Sequence, residues 1–132
     1  HTLTMKIEIP ISCGELVDKL TILQIKKIKI IEKNKLEQVN KEYEYLMKTY
    51  SDILKKFPNL NELYDRLYQI NLKLWEIEDK VRMCEKNDKF DQSFIDLARN
   101  VYQTNDLRFT IKNEINEYLN SDIKEQKSYE QY

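Results

Sequence analysis

From Leu63 to Cys84 the apolar residues recur in alternating steps of four and three: Leu63, Leu67, Ile70, Leu74, Ile77, Val81 and Cys84. Only a helix places such positions on one side, so this spacing predicts a helix over 60–86 with a continuous buried seam. A second stripe, Tyr64, Tyr68, Leu72 and Trp75, falls about 130° around the same helix at 100° per residue. Two stripes require neighbours on two sides, and this helix is expected to be the central element.

The flanking sequence has the same character. One Gly and two Pro in 132 residues leave little room for loops. Leu36, Val39, Tyr43, Leu46, Tyr50, Ile53 and Phe57 make a coiled-coil-like seam that stops at Pro58. Ser12-Cys13-Gly14-Glu15 fits a capping box, with the Ser12 hydroxyl on the Glu15 amide and the Glu15 carboxylate reaching back. A first helix over 12–57 follows, continuous or else broken near Asn34, and the continuous rod is favoured. A third helix is expected over 90–119 after an Asn87-Asp88 turn. The expected fold is all-α, a single domain over 1–132 built as a bundle of three long antiparallel helices.

Before these helices, Met5, Ile7, Ile9 and Ile11 alternate with polar residues and Pro10. The period of two predicts an extended strand or arm over 1–11, pairing across a dimer or lying along the bundle. Residues 1–4 are set aside, with Met5 as the expected start. The polar tail, 120–132, is expected to fray or to dock through Tyr129 and Tyr132.

The informative irregularity is on the third helix. Phe94, Leu97, Val101, Ile111, Ile115 and Leu119 form its seam, yet Thr104, Asn105, Arg108 and Lys112 fall in the same arc. A guanidinium is costly to bury unless a carboxylate meets it. Asp18, on a face with Ile22 and Ile25, and Glu15 at the cap are carboxylates at a comparable break on the first helix. On the second helix Asp79 and Arg82 follow Trp75. Glu15, Asp18, Trp75, Asp79, Arg82, Asn105, Arg108 and Lys112 are therefore the candidate ligand-binding residues of a polar inter-helix pocket. The competing reading, which weighs more, is a buried salt-bridge network that fixes helix register.

Other chemistry is bounded by what the chain contains. His1 is the only histidine and Gly14 the only glycine, which excludes a Cys/His zinc site, a Ser-His-Asp triad and a phosphate loop. Cys13 and Cys84 do not make a disulfide framework, and reduced thiols in a cytoplasmic protein are expected. No cofactor is expected. The acidic pairs Glu15/Asp18 and Glu76/Asp79 are the candidates for holding Mg2+, a faint likeness to the all-α nucleotide pyrophosphohydrolases. Arg82, Arg99, Arg108 and Lys112 bear a similarly faint likeness to the anion sites of helical chorismate mutases. A net charge of −1 predicts no nucleic-acid partner, and the absence of a long apolar run predicts no membrane span. The run Lys26, Lys27, Lys29, Lys33, Lys35 reads as a solvated face. No catalytic nucleophile or acid–base set stands out.

The stretches from Met5-Lys6-Ile7-Glu8-Ile9-Pro10-Ile11-Ser12 through Glu15-Leu16-Val17-Asp18-Lys19-Leu20-Thr21-Ile22-Leu23, then Leu74-Trp75-Glu76-Ile77-Glu78-Asp79, carry a resemblance. So do Leu97-Ala98-Arg99-Asn100-Val101-Tyr102, Asn105-Asp106, Arg108 and Lys127-Ser128-Tyr129. Together they resemble a small bacterial and phage-borne family of unknown function, over nearly the whole chain from Met5. The resemblance implies no activity, and it implies the company of surface-polysaccharide enzymes. The functional expectation is a non-enzymatic helical interaction or accessory module, a homodimer with a further protein partner as the alternative. The competing expectation is a small enzyme or binding protein for an anionic metabolite, a nucleotide or a dicarboxylate.

Overall fold

A computed structural model describes residues 5–120, and the expectations for residues 1–4 and for the tail beyond Asn120 lie outside it. Four helices follow one another among the described residues: α1 Cys13–Lys29, α2 Lys33–Lys56, α3 Leu60–Lys86 and α4 Gln92–Tyr118. The expected three-helix bundle is thereby corrected to four helices. The chain breaks across Ile30 and Glu32, whose backbones are extended at ψ 132° and 123°. The favoured continuous helix is thus overturned in favour of the broken alternative, although Asn34 itself lies inside α2 and the break precedes it. A continuous rod over 12–57 would be about 70 Å long and would carry the seam from Leu36 to Phe57 away from anything able to cover it. Reversing at Ile30–Glu32 instead lays Tyr43, Leu46, Tyr50 and Ile53 back onto the core. The β-branched Ile28, Ile30 and Ile31 lower the helical preference there without any Gly or Pro.

The other junctions carry ordinary punctuation. Ser12 Oγ accepts from the Glu15 amide at 3.1 Å and starts α1. Pro58, which disfavours helical backbone at Phe57, ends α2. Asp88 turns the α3–α4 hairpin at φ 51°, a left-handed conformation that Asp tolerates better than most residues. Asp91 then caps α4 by accepting from the Phe94 amide.

The core is one cluster: Leu16, Val17 and Leu20 of α1, Tyr50 of α2, Leu60, Tyr64 and Leu67 of α3, Ile111 and Ile115 of α4. The central helix is α1, which packs against the other three, and not α3 as its two stripes suggested. The first turn of α1 is bonded to α4, Gly14 to Asn116 and Glu15 to Lys112. Its fourth turn reaches the start of α3, where Tyr64 donates to Gln24. Thus α1 lies across both legs of the hairpin. It is about 26 Å long, whereas α3 and α4 are each about 40 Å at 1.5 Å per residue, and the hairpin outruns it. Beyond Asn71 on α3 only Ile77 is buried, and before Thr104 on α4 nothing is. The distal hairpin is a two-helix arm.

The alternating segment before α1 forms no strand. Met5, Ile7 and Ile9 are 87%, 76% and 68% exposed. The described residues, otherwise helical, offer no sheet edge to satisfy an extended backbone, so alternation alone makes no strand here. Lys6 instead sets its ammonium 4.1 Å from the centre of the Tyr45 ring on α2.

Candidate functional site

Asp18 sits on the inward face of α1 where that helix crosses the hairpin, and it is 1% exposed. A carboxylate this deep needs hydrogen-bond partners for its oxygens. Arg108 of α4 supplies a two-point partner: Nε donates to Asp18 Oδ1 at 2.9 Å and Nη2 donates to Oδ2. Asn71 of α3 adds a third donor, its Nδ2 amide lying 2.9 Å from Asp18 Oδ1. The same amide donates to Thr21 Oγ1, and the Thr21 hydroxyl donates to the Asp18 carbonyl at 2.8 Å. Three helices are thus tied to one carboxylate.

One turn earlier on α1, the Glu15 carboxylate accepts from Lys112 Nζ at 2.9 Å instead of closing the capping box back onto Ser12. The Lys112 side chain is 7% exposed and that of Glu15 36%. Below this pair, the Gly14 amide donates to Asn116 Oδ1 at 2.7 Å. Gly14 is required there by proximity: a Cβ would stand 2.5 Å from the Lys112 carbonyl oxygen and 3.0 Å from Asn116 Oδ1. The Asn116 side chain is fully buried, and among the described residues its Nδ2 has no hydrogen-bond partner.

Four of the eight candidate residues, Glu15, Asp18, Arg108 and Lys112, therefore meet as two ion pairs. Asn105 is half-buried three positions before Arg108, outside the bonded cluster. Trp75 is half-buried one turn beyond Asn71, and Asp79 and Arg82 are exposed farther along the arm. The periodicity placed these three on the correct helix but could not show that the bonds from α1 to that helix end at Asn71. Glu76 is exposed as well, and among the described residues no three His, Cys, Asp or Glu side chains are grouped as metal ligands. The carboxylate pairs of α1 and α3 do not converge.

Asn71, Thr21 and Asn116 were not anticipated. Asn71 had a signal, since it stands seven residues after Tyr64 on the Tyr/Trp stripe, where a polar amide interrupts an otherwise aromatic and apolar line. Thr21 follows Asp18 by three. Asn116 lies next to the seam residue Ile115 and has no signal of its own. A concavity on α2 lined by Tyr43, Met47 and Ser51 belongs to an element that contributes nothing to this cluster.

Two buried phenols flank the core side of the cluster. Tyr50 donates to Asn61 and Tyr64 to Gln24, with their rings 5.2 Å apart. Burial pushes the Tyr50 phenol up to about 12 and raises that of Tyr64 as well. On the outer surface Arg66 grips Glu114 with both terminal nitrogens and holds the Glu114 carboxyl below its ordinary range.

Fold and site together define an all-helical domain organised around a buried, ion-paired carboxylate, with a two-helix arm extending beyond it. The chain belongs to a family of unknown function, DUF6165, whose model matches residues 5–132. No curated protein and no solved structure matches it. Among the described residues no helix is long and apolar enough to cross a membrane.

Proposed function

We propose that this chain is a non-enzymatic helical interaction module, homodimeric, whose working surface is the α3–α4 arm and whose polar cluster is a register lock. The observation that carries the reading is the arm. It runs past the layer that covers its base, and it exposes Met83, Phe90, Ile95 and Tyr102 at 43–52%. A two-helix hairpin buries only the seam between its legs, so its outer faces need another surface. The cluster supports the same reading, because Arg108 and Lys112, the cations suited to an anionic metabolite, each already hold a carboxylate of α1. Buried pairs of this kind specify helix register more than they add stability. An accessory role in surface-polysaccharide assembly is one form of this reading, and neither form calls for a cofactor.

The test is sedimentation equilibrium of the chain across a wide concentration range, with a thermal-shift screen of nucleotides, nucleotide sugars and dicarboxylates with and without Mg2+. A concentration-dependent dimer and no ligand shift are expected. A strict monomer would remove the homodimer, and a shift abolished by Arg108→Ala would replace the module with a ligand-binding protein.

A further inference from the structure

The second stripe of α3 is covered along only half its length. Tyr64 and Asn71 are buried at its start, bonded to Gln24 and Asp18 of α1. Its continuation, Trp75, Asp79, Arg82 and Lys86, follows steps of four, three and four, which keeps the four side chains within about 60° of one another at 100° per residue. The hydrogen bonds that α1 makes to α3 stop at Asn71. Asp79, Arg82 and Lys86 are exposed, and the ion pairs among the described residues use none of them.

The order of these four residues is self-complementary. Reversed end to end, the line places Arg82 opposite Asp79 and Lys86 opposite Trp75, both pairs about one midpoint between Lys80 and Val81. In that register the end of a second α3, at Lys86, stands opposite Trp75, one turn beyond Asn71, the residue bonded to α1. In register, each two-fold-related contact forms twice: two Asp79–Arg82 pairs, and two Lys86 ammoniums over Trp75 rings.

We infer that this open half-stripe is where a second copy of the chain docks, antiparallel, with the two-fold axis between Lys80 and Val81. The inference rests on the homodimer reading above and names its surface. Opposite charges favour this register: a parallel pairing would set Asp79 on Asp79 and Arg82 on Arg82, and an antiparallel slip that keeps an Asp79–Lys86 pair would leave Arg82 opposite Met83.

Charge exchange followed by sedimentation equilibrium tests it. Asp79→Arg and Arg82→Asp, each alone, place like charges across both related contacts and should weaken self-association about tenfold or more, roughly the effect of losing two charge pairs. The double exchange Asp79→Arg/Arg82→Asp restores opposite charges and should return the dissociation constant to within about threefold of the unaltered chain. These positions are exposed, and helical circular dichroism should be unchanged in all three variants. Trp75 is the only tryptophan, so its emission should shift to the red as the dimer is diluted apart. An unaltered chain that is monomeric overturns the homodimer reading itself. A dimer indifferent to both single exchanges, or one that the double exchange fails to restore, overturns this surface and register while leaving homodimerisation intact.

Discussion

Removing the Arg108 guanidinium would leave Asp18 at 1% exposure with only the Asn71 amide to satisfy its charge. Truncating one partner of a buried pair is costly because the other charge remains. Arg108→Ala is therefore expected to cost about 3 kcal/mol in urea unfolding, at the lower end for such pairs because the guanidinium keeps some solvent. Arg108→Lys should recover little of it, since an ammonium cannot reproduce the two-point grip. Asp18→Ala combined with Arg108→Ala should cost clearly less than the two single changes added together. This is the part of the site that was legible in the sequence. A charge in an apolar arc requires a counter-charge, and Asp18 and Glu15 were the carboxylates at breaks on another helix. Asn71 and Asn116 were harder to read, because a neutral amide costs less to expose than a charge and so marks its burial more faintly. Asp79 and Arg82 were drawn into the same site because periodicity gives the face of a residue but not how far along that face a neighbour reaches.

At the scale of helices, Gly14 shows how packing reverses a local preference. Gly to Ala inside an exposed helix ordinarily stabilises by about 1 kcal/mol. Here the added methyl would meet the Lys112 carbonyl at 2.5 Å, a backbone atom that cannot swing aside. Gly14→Ala should instead destabilise by about 1–3 kcal/mol, as overpacking does, read as a lower urea midpoint at unchanged slope. The close approach seats α1 on α4 and so sets the height at which Asp18 meets Arg108. All-helical character was legible because the four-three stepping admits no other structure. The reversal at Ile30–Glu32 was not, because it carries neither Gly nor Pro. What decides it is the distant requirement that Tyr43 and Tyr50 cover α1, and no local window contains that. Of the two readings of the segment before α1, strand or arm, the strand failed for a related reason: its alternation is real, but a strand is a property of two segments.

For the molecule as a whole, the two raised phenols make stability depend on alkali. Tyr50 and Tyr64 join α2 and α3 to each other and to α1, and burial favours their neutral forms in the folded state. Unfolded tyrosine ionises near 10, so the stability they contribute is complete below about pH 10 and lost as pH rises toward about 12. Alkaline titration followed by phenolate absorbance should show a late, cooperative step coincident with loss of helical signal. In Tyr50→Phe/Tyr64→Phe that step should disappear and the loss of helix should become more gradual. The contact between α1 and α4 has a consequence of another kind. Gly14 bonds to a residue 102 positions later and Asp18 to one 90 positions later. On the ribosome, the first helix emerges long before the residues that neutralise it, and its inward carboxylate must stay hydrated in the meantime. The domain cannot close progressively from its beginning. Its first helix is held in suspense until the last one has been made, so any nascent chain that stalls before Arg108 presents quality control with an unfinished fold.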